Sequence, residues 1–409
     1  MRARWLGLAA LAAVAPGVAG CGGTGVSGAS QAAGGQLAIY SSLPLHGPAA
    51  AASRQIVGGE KLALAEAGGH AGKFKIGYVL LDDSNPTKAR WDPGVTATDA
   101  KTAAQDTSTI AYLGDYNSAA TAISLPLMNA AGVLQVSPAS PYIGLTSSLD
   151  AGQDEPGRFY PTGQRTFGRL QPGDSVEAAA QAKLMKALAV KSVYVLDDQD
   201  PFEVPLADLV ASDAKRAGVA LAGRDSIATT PATIFTGEIE KIVRSGAQAV
   251  FLAAGSGAGA SVLWKKLHSA DPGLLLLGSS SMADESFTSQ IGAAEASTYL
   301  TTPVLPAALY PASGARVLKD YRADFGGEAG PYVLYGYEAM RVVLDAIRGA
   351  GDRGNDRQAV IAGFFATRDR DSVLGRYSMR ADGETTLARY GVDRVLGGRP
   401  VFYRAMSLP

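Results

Sequence analysis

Cysteine is almost missing from this sequence of 409 residues: Cys21 is the only one. No intrachain disulfide can form, and once Cys21 is committed no thiol remains for a metal site or a nucleophile. Histidine is scarce as well. His46, His70 and His268 lie far apart and lack ligand spacing, so His70 and His268 read as surface or satisfied histidines. No G-x-S-x-G, H-E-x-x-H or G-x-x-x-x-G-K-[ST] pattern occurs, which leaves a nucleophile–base pair, a zinc centre and a phosphate cradle without their sequence marks. Basic excess is missing too: the formal net charge is −1. No Lys/Arg run is interleaved with aromatics, so nucleic acid is excluded as a partner. Beyond the first twenty residues no apolar run approaches the length that spans a bilayer. No cofactor is called for.

What is present begins with an address. Arg2 and Arg4 precede an apolar stretch from Trp5 to Ala15, which is too short for a mature membrane helix. Val18-Ala19-Gly20-Cys21 follows. This resembles the lipobox of bacterial lipoproteins, which implies cleavage of residues 1–20 and a lipid on Cys21. Residues 21–36, rich in Gly, Ala and Ser, read as a flexible tether. The protein is then expected to be anchored to the cell membrane from the extracytoplasmic side without spanning it.

The remaining chain is too long for one typical core, and its 47% hydrophobic content excludes wholesale disorder. From Leu37 onward short apolar strands alternate with helical patterns, the signature of a parallel, helix-covered α/β sheet. Leu37–Tyr40 runs into a polar turn holding Ser42 and His46. Phe74–Leu81 ends in Asp82-Asp83. Ile110–Ser140 reads strand, turn, helix, strand, turn, with Tyr116, Asn117 and Ser118 in the first turn and Ala139 and Ser140 in the second, followed by Pro141. Such turns lie at the carboxyl edge, where these sheets bind ligands. The scheme repeats after residue 190, with turns at Asp197-Asp198 through Phe202, at Gly255-Ser256-Gly257 and at Gly278–Ser281. Pro331–Ile347 is an amphipathic helix. Tyr377–Arg380 and Tyr390–Leu396 are predicted to close the fold as a β-hairpin.

Two features have two readings each. Gly255-Ser256-Gly257-Ala258-Gly259-Ala260 fits G-x-G-x-x-[GA] between a strand and a helix, but the acid expected on a dinucleotide ribose is missing after Leu274–Leu277, which favours a plain tight turn. The acid pairs Asp82-Asp83 and Asp197-Asp198 either hold a cation or an ammonium, or cap the segments that follow or form solvated rims; the second reading is favoured.

SLPLHGP, LDDSNP, IAYLGDYNSAAT, VSPASPYIGLT, PYVLYGYEAM and GRYSMRADGETTL, in this order, resemble the substrate-binding lipoproteins of branched-chain amino-acid-type ABC transporters, which are type I periplasmic binding proteins. The resemblance implies two Rossmann-like α/β lobes with parallel sheets joined by a three-strand hinge. Residues 37–165 and 303–368 would form lobe 1, and 166–302 and 369–409 lobe 2. It implies a monomer that closes on a small polar or amino-acid-like ligand and is then met by an ABC permease. The ligand carboxylate falls to the turns at Asn117-Ser118 and Ser137–Pro141. Ser42, His46, Tyr116, Asp198, Phe202, Ser256, Ser280 and Tyr335 complete the expected lining.

Departures from the family pattern are informative. Pro141 stands where Thr is usual and removes a hydroxyl and an N–H. Ser280 takes the place of the ammonium-binding acid, unless Asp197 or Asp198 substitutes. Gly255 or Ser256 falls near an expected aromatic, and Phe202 replaces a Tyr. The expected ligand is therefore not leucine, isoleucine or valine. An exported α/β enzyme, or a ligand-sensing receptor of the same fold, is the alternative.

Overall fold

The computed structural model describes residues 30–408 except 89, 150 and 231. The leader, Cys21 and the tether up to residue 29 lie outside them. The end of the expected tether is not free chain. Ala32 is buried in the first core, its N–H donates to the Asn355 carbonyl, and Ala33 donates to that of Thr107.

The first sheet is built by strands β1 (Gln36–Ser42), β2 (His70–Ala71), β3 (Phe74–Leu81), β6 (Thr109–Leu113), β7 (Leu134–Ser137) and β8 (Phe167–Arg169) in the order β2-β3-β1-β6-β7-β8, and all but β2 run parallel. The two-residue strands β4 (Ser84–Asn85) and β5 (Arg90–Trp91) form a small hairpin beside it. Helices α1 (Ala50–Glu66), α2 (Pro93–Gln105) and α3 (Ser118–Ala130) make the crossovers. Every residue of β6 is buried, as a strand covered on both faces must be. Asp92 starts α2 by accepting the Gly94 and Val95 N–H groups, with Pro93 in the first turn.

After α4 (Asp174–Ala187) comes the second sheet, with β9 (Ser192–Asp197), α5 (Val204–Arg216), β10 (Ala220–Ser226), α6 (Thr236–Arg244), β11 (Ala249–Ala253), α7 (Ala258–Ala270), β12 (Leu275–Gly278), α8 (Glu285–Thr288) and β13 (Thr298–Thr302). Its order is β10-β9-β11-β12-β13, extended by two later strands. The chain then returns to the first sheet through α9 (Ala312–Phe325), α10 (Tyr332–Gly349) and α11 (Arg357–Phe365).

The C-terminal region departs from the predicted hairpin. β14 (Arg370–Ser372) pairs with β15 (Gly375–Tyr377), whereas β16 (Arg389–Leu396) pairs with β13 on one side and β17 (Arg399–Ser407) on the other. Gly397 and Gly398, at φ 59° and 75°, make the two-residue turn between β16 and β17. β8 pairs with β7 beyond residue 165, and Val373, Leu374, Tyr377 and Met379 pack in the first core beyond residue 368. The chain passes between the sheets near 170–173, 303–311 and 380–388.

α1 and α10 pack backbone to backbone. A Cβ on Gly59 would lie 2.0 Å from the Val333 carbonyl oxygen, and one on Gly336 would lie 2.0 Å from that of Ile56. This crossing ties the first crossover helix to the returning chain.

Candidate ligand-binding cleft

The carboxyl ends of β6 and β7 give two turns locked together by Asp115 and Ser137. The fully buried Asp115 carboxylate accepts the Tyr112 hydroxyl at 2.9 Å and the Ser124 hydroxyl, while its carbonyl accepts the Ser137 and Ser140 hydroxyls at 2.7 and 3.0 Å. Ser137 Oγ in turn accepts the Ala139 and Ser140 N–H groups at 3.1 and 2.9 Å. The donors expected from Ala139 and Ser140 are therefore spent within the turn. Pro141 uses its carbonyl on the Asp174 N–H.

Beneath them sits Arg169, the last residue of β8, with no exposure. Its guanidinium donates to the Ser140 and Tyr142 carbonyls at 2.6 and 2.9 Å and to Thr146 Oγ1 at 2.6 Å, and pairs with Glu384 at 2.8 Å. A buried cation at this point fixes where the second turn stands.

The Asn117-Ser118 turn opens α3. Asn117 Oδ1 is buried and has no hydrogen-bond partner, an unmet acceptor that is costly unless something fills it. Ser118 Oγ accepts the Tyr142 N–H at 3.3 Å. The Tyr142 ring meets Phe202 edge to face at 4.9 Å. Tyr142 follows the carboxyl end of β7 and Phe202 that of β9, so the carboxyl edges of the two sheets face each other here. The Tyr116 ring lies tilted against that of Tyr332, 5.9 Å between centroids; burial and the Asp284 carboxylate of the second lobe raise its pKa, against the hydrogen bond with Tyr332.

Three candidates are engaged elsewhere. Ser42 is fully buried and donates to Asp99, because it ends a covered strand. Tyr335 donates to the Pro303 carbonyl at a crossover between the sheets. His46 rests half-exposed on Asp82 and Ser84 at 3.0 and 3.1 Å.

On the second sheet, Asp197 is buried in an ion pair with Arg224, and Asp198 accepts the Gly255 and Asp200 N–H groups. Both are committed to local structure. Ser256 makes no side-chain hydrogen bond among the described residues. Ser280 directs both its N–H and its hydroxyl onto Glu177, each at 2.7 Å, and Thr301 and Tyr390 complete the shell of this buried carboxylate. Ser280 thus faces inward rather than offering a free group. Glu203, next to Phe202, is a further acid at this edge: burial, with Asp198 and Glu177 adding to it against a Ser281 hydrogen bond, pushes its carboxyl up to about 8. The G-x-G-x-x-A run has a packing role, since a Cβ on Gly259 would lie 2.0 Å from the Thr229 carbonyl oxygen.

The sequence profile of the periplasmic binding proteins matches residues 41–398. The chain belongs to this family. No curated protein sequence matches it. Among solved structures, the leucine-binding protein LivK of Thermotoga maritima aligns with a TM-score of 0.73 at 20% identity, over 91% of this chain and 99% of its own. LivJ of Streptococcus pneumoniae, solved with isoleucine, aligns with a TM-score of 0.70 at 18% identity, over 91% and 99%. A solute-binding protein of an ABC transporter from R. palustris, solved with benzoate, aligns with a TM-score of 0.67 at 16% identity, over 90% and 95%. These establish the fold.

Sequence reasoning missed one part of this periplasmic binding protein. A cavity of about 410 Å³ lies where the two lobes meet, lined by Trp91, Ala119, Ala122, Ile123, Pro126, Arg158, Phe159 and Phe202. Only Phe202 was a candidate. The signal available was the helical spacing of residues 119, 122, 123 and 126, which forms one apolar face of α3.

An unused carboxyl underlies the cleft. Both Asp83 oxygens are buried without a hydrogen-bond partner. Burial, then the Asp115, Asp99 and Asp82 carboxylates, push its carboxyl well above the usual range. The folded protein therefore holds a proton that the unfolded chain releases above about pH 4. The stability this contributes is complete below that pH and is lost as pH rises toward the raised value. The melting temperature should fall between about pH 5 and pH 8, and Asp83→Asn should flatten that fall and add on the order of 1 kcal/mol at pH 8. Equal pH slopes in the two proteins would refute this.

Proposed function

We propose that the protein is an extracytoplasmic solute-binding lipoprotein that captures a small polar or amino-acid-like molecule between its lobes and delivers it to an ABC permease. The observation that carries this reading is the opposition of the two carboxyl edges, where Tyr142 after β7 meets Phe202 after β9. Two parallel sheets facing each other at their binding edges suit a clamp that closes about a hinge. Asn117 holds an unmet acceptor in the first turn, and Ser118, Tyr116 and Phe202 are the further residues this reading assigns to the ligand. Val18-Ala19-Gly20-Cys21 supplies the lipid anchor, which suits a protein that must stay near a membrane permease as a monomer. No catalytic step is assigned, and the ligand is released unchanged.

Ser280, which carries no charge and is turned onto Glu177, argues against an α-amino acid held in the manner of leucine. Calorimetric titration with leucine, isoleucine and valine should give no binding heat. A thermal-shift screen of small solutes should find a stabilising ligand, since a hundredfold excess over its Kd adds about 2.7 kcal/mol. Tight binding of any of the three amino acids would overturn the ligand assignment, and turnover of a stabilising solute would overturn the function.

A further inference from the structure

The cavity beside the two turns has a chemistry of its own. Three aromatic rings wall it: Trp91 from the β4–β5 hairpin, Phe159 from the long connection before β8, and Phe202 from the second lobe. Ala119, Ala122, Ile123 and Pro126 form an aliphatic floor along α3. The one charged side chain is Arg158. Its guanidinium lies over the Phe159 ring, 4.7 Å from the centroid, and donates to Glu155. Glu155 is held in turn by the Tyr142 hydroxyl and the Gly152 N–H. The cation is thus fixed on one edge, while its side chain stays 53% exposed and its other N–H groups make no hydrogen bond among the described residues. An apolar, aromatic-walled pocket whose one charged lining side chain is a held guanidinium fits a ring that carries an anionic group.

We infer that this cavity binds the aromatic ring of a carboxylate ligand, with Arg158 taking the carboxylate and Phe202 closing over the ring. This rests on the clamp reading above and names the solute class. Because Phe202 belongs to the other lobe, the ring slot is complete only when the lobes are together, so filling it favours closure.

The test follows Trp91 fluorescence in the purified protein during titration with benzoate, benzyl alcohol and benzylamine. Of the other tryptophans, Trp264 is fully buried and outside the lining of the cavity, and Trp5 lies in the leader expected to be cleaved. Benzoate should give a saturable signal, and each uncharged or cationic analogue should bind at least about tenfold more weakly. Trp91→Phe should remove the signal. Phe202→Ala should weaken benzoate, with Phe202→Tyr restoring it. Arg158→Gln should weaken benzoate about tenfold and leave benzyl alcohol unchanged, with unaltered melting curves showing that the variants fold. Equal binding of all three probes, or benzoate binding indifferent to Arg158 and Phe202, would overturn the inference. So would failure of benzoate to bind while another solute from the thermal-shift screen binds, and that result would leave the clamp function standing. Failure of every solute would instead count against the clamp.

Discussion

Replacing Arg169 by methionine should destabilise the protein by about 3–5 kcal/mol, among the largest losses available to a single side chain here. The guanidinium is fully buried and serves the Ser140 and Tyr142 carbonyls, Thr146 Oγ1 and Glu384 together. Methionine fills most of the space but leaves Glu384 unpaired and two carbonyls without donors, and the cost of such orphaned groups exceeds the value of the pair itself. Adding Glu384→Gln should recover part of the loss by removing the stranded charge, although Thr146 still donates to the residue there. Because Arg169 fixes the Ser137–Pro141 turn, ligand affinity should fall as well. Denaturant melts of the single and double variants check this, and additive losses would refute a coupled network.

The second large effect reverses the sign of a familiar substitution. Gly→Ala inside a helix ordinarily stabilises by up to about 1 kcal/mol. At Gly336 the added methyl would lie 2.0 Å from the Ile56 carbonyl oxygen and 2.7 Å from its Cα, both parts of α1. Backbone cannot rotate away as a side chain can, so α1 and α10 must separate and the core between them must loosen. Gly336→Ala should therefore cost about 3 kcal/mol or more. Gly237, in α6, has nothing within 4 Å of its built Cβ, and the same substitution there should be neutral to mildly stabilising. Similar melting shifts at the two positions would contradict close helix packing as the cause.

These two residues show what was legible in the sequence and what was not. Alternating apolar strands and helical patterns located β1, β3, β6, β7, β9, β11 and β12, because each carries a run of apolar residues between turn signals. The Asn117-Ser118 and Ser137–Ser140 turns were legible for the same reason, since a strand–turn–helix pattern places a turn at the carboxyl edge. β8 escaped because three residues ending in a charged arginine do not read as a buried strand, and Arg169 is buried only through partners as distant as Glu384. β17 escaped because its alternation follows Gly397-Gly398 at the chain end and most of its residues are not buried. Ser280 was found by position, but its orientation depends on Glu177, a hundred residues earlier in the chain. The ring slot combines a hairpin, a long connection, a helix face and the opposite lobe. No local pattern announces such a meeting.

The clamp reading turns most directly on what the protein carries. Protein purified without added ligand should be denatured, the released small molecules identified by mass spectrometry, and each returned to ligand-free protein in a calorimetric titration. One compound should rebind at one per chain, raise the melting temperature and be recovered chemically unchanged. Recovery of an altered compound, or the absence of any small molecule that rebinds, would contradict the account.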